Sequence, residues 1–453
     1  MKRFILAFTV VQALAGGTAR PATHAQMPSD EPIAVVPEGL EHRIDELVHP
    51  RVDAGNFNGV ILVAQGQHIV FKKAYGSAVY EFDIPNTVDT RFRIASVSKQ
   101  FTDIAICSLV ERGVMTLDAP VSDFLPEFPR GDEISVRHLL HHESGVKHTN
   151  NLTELEHITR LTLDEMIALL ATKPLDFDPG TESRYSNGGY DLLAAIVERA
   201  SGISFEEYLQ RFVFARIGLK DTGIVKTYGV TERLARGYLP GRTPGKRGLA
   251  RFYPSEIRFG GGALYSTAED VFRVFQTSFS FSLFENEELN DVVGWDRERR
   301  YEITGRAPGF VAKVFRDNTN DITVVSLANN YSWQISWGRL LYQAAINDPW
   351  PTEDISPVER TIAAKDAAYY TGTFAWGDDS PVKLSVNTNG HIVYFDEAND
   401  WDVVLIPVAN DEYYHPFFDR ICVFQGETQA ETIDCRSSVP KVDAPARFTR
   451  VNR

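Results

Sequence analysis

The chain has 453 residues, of which 43% are hydrophobic, and a formal net charge of −15 at pH 7. This length exceeds what one ordinary hydrophobic core supports, so we expect a large domain and a smaller one. The acidic balance repels phosphate backbones and no basic run opposes it, so nucleic acid is excluded as an expected partner.

The first residues have the pattern of a secretory signal. Lys2 and Arg3 precede an apolar run to about Gly16, and small and polar residues follow. We predict a signal peptide over 1–25, with cleavage after Ala25 preferred to cleavage after Ala19. The run is shorter than the ~20 residues that span a bilayer, so the protein is expected to be exported, periplasmic or secreted, without a membrane span.

A leader rich in Pro, Ser and Asp is predicted over 26–38. Two apolar runs around "QGQ" then predict a hairpin. The pattern over 96–112 predicts a helix that is closed by Gly113 and has a buried stripe of Phe101, Ile104, Ala105, Ser108 and Leu109. The segments "ISVRHLLHHESGV" and "DLLAAIVERASGISFEEYLQRFVFARIGL" are also expected to be helical, and "APGFVAKVFRD" and "DITVVSLANN" to be strands. Strands at both ends with helices between them indicate an α+β layer in which the terminal strands share a sheet.

The composition changes near 347–357, where prolines and acids interrupt the pattern. Beyond it, short alternating strands with an Asn389-Gly390 turn predict a small up-and-down β barrel or meander over 358–453. Cys422 and Cys435 could face each other in a hairpin, and both a disulfide and free thiols remain open. The cluster "DEYYHPFFD" is expected in the barrel core rather than on a ligand-facing rim, and Cys107 is expected to be an inert core residue.

Chemistry is suggested first by Ser96 and Lys99, which stand one helical turn apart at the start of an apolar segment. Burial favours the neutral amine, which can take the serine proton and release a nucleophile. The alternative is a capping serine beside a solvated lysine. Tyr185 and Asn187 add a phenol that can carry a proton and an amide that can bind a substrate amide.

A third segment, Thr304-Gly305, is expected at the start of a strand. Glycine there lets a substrate backbone approach, and the next N–H could bind an oxyanion. In this order "SVSK" (96–99), "YSN" (185–187) and "ITG" (303–305) resemble the three motifs of the serine β-lactamase and penicillin-binding protein-like superfamily, closest to its class C, peptidase and esterase branch. The resemblance covers about 40–345, and the tail resembles lipocalin-like β domains appended to some members.

The resemblance implies a fold and a set of roles. Residues 39–350 would form an antiparallel sheet flanked by helices with an all-helical subdomain, and 358–453 a small all-β domain. Ser96 would be the nucleophile, Lys99 its base and Tyr185 the proton carrier. The implied substrate-binding residues are Asn187, Thr304, Gly305 and Arg306, with the N–H groups of Ser96 and Arg306 as the oxyanion hole. No metal or organic cofactor is needed.

One position departs from the family pattern, because Ile303 stands where lysine or histidine is usual. Isoleucine cannot bind a substrate carboxylate, so neutral acyl donors are favoured unless Arg306 or another arginine supplies the charge. A second interpretation concerns the histidines 138, 141, 142 and 148, whose spacing could ligate a metal. The surrounding text matches a structural turn of the family, and we favour that interpretation.

The expected function is therefore that of an exported serine hydrolase. It would form an acyl-enzyme on Ser96 and hydrolyse an amide or peptide bond, including bonds to D-amino acids, in a small-molecule or peptide substrate. A carboxylesterase of the same fold is one alternative. A penicillin-binding or sensor protein without turnover is the other, and the sequence leaves the oligomeric state open.

Overall fold

The computed structural model describes residues 38–152, 160–226, 228–240, 247–250, 254–280, 283–294, 300–330, 337–347, 355, 358–375, 381–396, 401–408, 412–416, 420–437 and 446–451. The predicted signal peptide and nearly all of the leader lie outside these residues, and the domain limits stay predictions. In the described ranges, no helix has both the length and the apolar character that a membrane span requires.

Strands lie near both ends of the first part of the chain, with a run of helices between them, and one short helix lies beyond the composition change. The helices are α1 Leu40–Asp53, α2 Lys99–Glu111, α3 Val136–Leu140, α4 Leu163–Ala171, α5 Asn187–Ser201, α6 Phe205–Tyr208, α7 Ala215–Ile217, α8 Phe259–Gly262, α9 Ala268–Phe279, α10 Glu287–Gly294, α11 Trp337–Ala345 and α12 Ala367–Tyr370. The strands up to the composition change are β1 Gly59–Gln65, β2 His68–Tyr75, β3 Ser77–Val79, β4 Ile84–Pro85, β5 Phe92–Arg93, β6 Gly223–Ile224, β7 Tyr238–Pro240, β8 Arg247–Leu249, β9 Leu264–Ser266, β10 Arg300–Ala307, β11 Phe310–Asp317 and β12 Ile322–Ala328.

The main sheet has five antiparallel strands in the order β10-β11-β12-β1-β2. Strands from both ends of this region therefore share one sheet, as predicted, and β1 and β2 form the expected hairpin. Alternation along β1 sends Val60 and Leu62 into one apolar cluster and Ile61 and Val63 into another. Because both faces of β1 are covered, all but its last residue are buried.

Helices cover the two faces of this sheet. α1 and α11 pack on one face through residues such as Ile44, Val48 and Leu341. α9 packs on the other face, where it builds the larger cluster together with helices such as α2, α4 and α5. α2 lies inside this helical region, and every residue over 99–109 is buried. The five residues of the predicted stripe are therefore buried, and so are their neighbours on the other faces of α2.

The predicted starts of one helix and one strand need correction. α2 begins at Lys99 instead of Ser96, because Ala95–Ser98 form a 3₁₀ turn and Ala95 has a φ of 45°, which an α-helix cannot include. Thr304 and Gly305 lie in the second half of β10 instead of at its start, because Arg300–Ile303 already pair with Val314–Asp317.

The C-terminal region is a nearly closed β barrel, as predicted. Its strands are β13 Gly372–Ala375, β14 Val382–Val386, β15 Ile392–Asp396, β16 Trp401–Val404, β17 Ile406–Pro407, β18 Tyr413–His415, β19 Arg420–Gln425, β20 Thr432–Ser437 and β21 Ala446–Arg450. The order is β16-β15-β14-β13-β21-β20-β19-β18-β17. Because β16 and β17 are the two edges and follow each other through Leu405, the chain itself links the edges of the sheet.

Side chains of the barrel resolve two alternatives that the sequence left open. Cys422 and Cys435 are directly opposite on β19 and β20 and form a disulfide. Tyr413 lies in the barrel core, whereas Tyr414 is buried in a separate cluster with Ala54 of the first region. The described part of the aromatic segment therefore serves packing.

Candidate active site

Ser96 is presented by a strained turn. Ala95 has φ 45°, a left-handed conformation that residues with a β-carbon adopt infrequently and that is often found at functional sites. The turn is anchored to β9, since the N–H of Ile94 donates to Leu264 O at 3.0 Å and Ser98 Oγ accepts from the N–H of Leu264 at 3.2 Å. Ser96 itself stays partly exposed.

Tyr185 lies at the end of the loop that leads into α5. Its Oη donates a hydrogen bond to Ser96 Oγ at 2.8 Å, and the residue is 46% exposed. Burial raises the pKa of Tyr185, while the hydrogen bond to Ser96 opposes this rise. The phenol is therefore protonated at neutral pH and is in direct contact with the serine hydroxyl.

Lys99 is almost fully buried, with 5% exposure. Its Nζ donates to Asn187 Oδ1 at 2.6 Å and to Gly261 O at 2.7 Å, and it lies 4.7 Å from the ring centroid of Tyr185. Burial lowers the pKa of Lys99 to about 7. A substantial fraction of the amine is therefore neutral at pH 7, the form that a general base requires.

Two carboxyl groups and a guanidinium adjust the charge around the amine. Asp103 and Asp191 oppose the fall in the pKa of Lys99, whereas Arg258 contributes to it. Burial raises the pKa of each aspartate to about 8. The sequence interpretation missed all three residues, although Asp103 follows Lys99 by four positions and Asp191 follows Asn187 by four, a spacing that places them on shared helix faces.

β10 packs directly against the turn that carries Ser96. A β-carbon on Gly305 would lie 2.0 Å from Ile94 O and 3.1 Å from the N of Ser96. Only glycine permits this close approach of β10 to the serine turn. Side chains alternate along a strand, so those of Thr304 and Arg306 project to the face opposite Gly305.

The other motif residues are engaged within the protein. Asn187 uses its Oδ1 for Lys99, and its Nδ2 donates to Asn150 Oδ1 at 3.2 Å. Thr304 Oγ1 donates to Glu302 Oε1 at 3.4 Å. Ile303 packs against the larger apolar cluster and supplies no charge. The structure thus gathers Ser96, Lys99, Tyr185, Asn187 and Gly305. The side chains of Thr304 and Arg306 project to the other face of β10.

Two of the four histidines lie beside Tyr185, and the other two lie elsewhere. His138 accepts the N–H of Ser135 at the start of α3, His141 is exposed, and the rings of His142 and His148 contact Tyr185. Within the described ranges, no group of three or more His, Cys, Asp or Glu side chains is arranged to hold a metal.

Comparisons with known proteins identify a family to which the chain is similar. The Beta-lactamase family model matches residues 44–345. Esterase EstB of Burkholderia gladioli is 29% identical over 384 residues, which cover 77% of this chain and 84% of the esterase. Penicillin-binding protein 4* of Bacillus subtilis (strain 168) is 24% identical over 401 residues, which cover 79% of this chain and 88% of that protein.

A similar solved structure supports the same family assignment. The penicillin-binding protein from Bacillus halodurans superimposes with a TM-score of 0.57 at 27% identity, covering 66% of this chain and 98% of that protein. The resemblance seen in the three motifs is confirmed, and so is the fold that it implied. The family match includes the turn of Ser96, the loop of Tyr185 and the strand of Gly305, and the chain therefore belongs to the Beta-lactamase family.

Proposed function

We propose that this protein is a serine hydrolase that forms an acyl-enzyme on Ser96. The observation that carries the proposal is the 2.8 Å hydrogen bond from Tyr185 Oη to Ser96 Oγ, with the Lys99 amine 4.7 Å from the same phenol ring. A hydroxyl, a phenol and an amine of lowered pKa in contact are the parts that a proton-coupled nucleophilic attack needs.

Each of these side chains has one step in the proposed reaction. Ser96 Oγ bonds to the acyl carbon as its proton leaves toward Lys99, the general base of lowered pKa. As the bond between the acyl carbon and the leaving group breaks, Tyr185 gives its phenol proton to the departing nitrogen or oxygen, and Lys99 returns the serine proton to Tyr185. The N–H groups of Ser96 and Arg306 receive the developing oxyanion. A water then releases the acyl group through the same groups in reverse.

Ile303 favours neutral acyl donors, since its apolar side chain offers no cation to a substrate carboxylate. Amide or peptide bonds, including those to D-amino acids, are the first substrate class that we propose. Carboxylic esters are the second, supported by the similarity to the Burkholderia esterase. Export by the signal over 1–25 would place this activity in the periplasm or the medium.

Active-site labelling tests the proposal. A fluorophosphonate should add one adduct to the wild type, on the peptide that bears Ser96, as read by intact-mass and peptide mass spectrometry. Ser96→Ala should remove the adduct, and Ser183→Ala, a change at an exposed serine, should keep it. Equal labelling of the Ser96 variant would remove the assignment.

A substrate panel then separates the candidate functions. Turnover of D-alanine p-nitroanilide favours the amidase, turnover of p-nitrophenyl esters alone favours the esterase, and turnover of nitrocefin favours a β-lactamase. A stable adduct that persists for hours with each substrate would instead favour a penicillin-binding or sensor protein.

A further inference from the structure

Two imidazole rings pack against the phenol of Tyr185. The ring centroid of His142 is 4.7 Å from that of Tyr185, and the centroid of His148 is 5.4 Å away. With the Lys99 amine at 4.7 Å, three side chains from two separate segments surround the ring of a residue that is itself half-exposed.

His142 also holds the backbone on both sides of Tyr185. Its carbonyl oxygen accepts the N–H of Arg184 at 2.9 Å, and its Nδ1 accepts the N–H of Ser186 at 3.2 Å. His142 has a φ of 60°, a left-handed conformation. One residue thereby fixes the peptide groups before and after the tyrosine.

His148 makes the same kind of contact with the next backbone N–H along the chain. Its Nδ1 accepts the N–H of Asn187 at 3.1 Å. Ser186 and Asn187 are the N-cap and the first residue of α5, where N–H groups lack partners inside the helix. The two imidazoles therefore supply acceptors that the start of α5 needs, and they do so at the catalytic loop.

Both contacts require one protonation state. An imidazole accepts through Nδ1 only when it is neutral and carries its proton on Nε2. Burial, followed by the charge of Lys99, lowers the pKa of each histidine to about 4. Arg258 adds to the effect at His148, and His141 and His148 add to it at His142.

We propose that His142 and His148 are positioning residues whose Nδ1 lone pairs hold the two N–H groups after Tyr185 and thereby aim its phenol at Ser96. The inference rests on the proposed function, because it concerns the proton step assigned to Tyr185. It gives these histidines a role in catalysis without contact to the substrate and without a metal.

The sharpest test is at His148, whose φ of −71° suits any residue. Asparagine can place Oδ1 near the position of Nδ1, whereas leucine fills the space without an acceptor. His148→Leu should lower kcat for a p-nitrophenyl ester about ten-fold, the scale of one lost hydrogen bond, with KM nearly unchanged. His148→Asn should restore most of the rate. His141→Leu, at the exposed histidine that precedes His142, should have no effect on kcat.

A Tyr185→Phe background distinguishes positioning from general damage. If His148 acts through the phenol, adding His148→Leu to Tyr185→Phe should slow acylation by fluorophosphonate less than two-fold further. A further ten-fold loss in that background, or failure of His148→Asn to restore the rate, would overturn the proposal.

Nitrogen NMR of the histidine side chains provides a readout independent of activity. At pH 7 both His142 and His148 should show a pyridine-like Nδ1 and a protonated Nε2, whereas a protonated Nδ1 on either ring would overturn the inference. A wild-type chain that no acylating probe labels would instead overturn the proposed function, and the NMR result would still decide the state of the two imidazoles.

Discussion

Tyr185 Oη donates a 2.8 Å hydrogen bond to Ser96 Oγ, a contact between residues 89 positions apart in the chain. The phenol arrives from the loop before α5, and the hydroxyl from the strained turn before α2. Each segment is anchored by its own backbone hydrogen bonds, so the contact depends on how the two helices pack and not on either segment alone.

Removal of the phenol oxygen should therefore slow acylation more than it weakens binding. Tyr185→Phe keeps the ring and its packing but removes the group proposed to relay the proton, and we expect kcat to fall by about 10²-fold or more. Steady-state hydrolysis of p-nitrophenyl esters measures this. Tyr228→Phe, at a tyrosine that is 71% exposed, is the control. A variant that keeps more than half of the wild-type kcat would contradict the assigned role.

The acidic limb of the pH profile should report Lys99. Its pKa is lowered to about 7, so the neutral amine disappears as the pH falls below that value. We expect kcat/KM for a neutral ester to rise between about pH 6 and pH 8 and then to level off. Lys99→Met should abolish this limb together with most of the activity. A flat wild-type profile down to pH 5 would mean that Lys99 is not the base.

Arg258 should affect the pH at which the same acidic limb lies. Its positive charge contributes to the lowered pKa of Lys99, so Arg258→Gln should raise that pKa and move the acidic limb to higher pH. Arg258→Lys keeps a charge and should leave the limb closer to its original position. The measurement is again kcat/KM against pH for one ester. A shift to lower pH after Arg258→Gln would contradict the electrostatic assignment.

Much of the fold could be predicted from the sequence because local patterns determine it. The "QGQ" and Asn389-Gly390 turns are at hairpins, and the short alternating strands of the tail form the barrel. The start of α2 could not be predicted, because the left-handed Ala95 results from packing against β9 and β10 and not from the propensity of alanine.

The residues of the candidate site could likewise be predicted only in part from the sequence. Ser96, Lys99, Tyr185 and Asn187 were identified from motif spacing, and the structure brings them together. For His142 and His148 the sequence offers a structural turn or a metal site but not their Nδ1 contacts, because these depend on backbone N–H groups about 40 residues away. A short sequence pattern gives little indication of residues that act by contacting a backbone segment far away in the chain.

The disulfide should stabilise the protein without affecting the chemistry. Cys422 and Cys435 close a loop of 13 residues' separation between neighbouring strands of the barrel. The double variant Cys422→Ala/Cys435→Ala should lower the free energy of unfolding by about 2–4 kcal/mol, as measured by urea titration, while ester hydrolysis at 25 °C stays unchanged. A reductant should weaken the wild type similarly and leave the variant unaffected. Equal stability with and without reductant would show that the crosslink contributes nothing.

Gly305 should be indispensable to the proposed oxyanion hole for a steric reason. A β-carbon there would meet Ile94 O at 2.0 Å and the N of Ser96 at 3.1 Å, and both are backbone atoms that cannot rotate away. Gly305→Ala should therefore push β10 from the serine turn and lower kcat by about 10²-fold or more, the scale of one lost oxyanion donor.

Gly248→Ala is the matched control, because a β-carbon at that strand position meets nothing within 4 Å. Circular dichroism and the unfolding midpoint of both variants separate a displaced strand from a misfolded chain. A folded Gly305→Ala protein with wild-type kcat would show that β10 can shift without cost, and the oxyanion would then have to be bound by groups other than the N–H pair of Ser96 and Arg306.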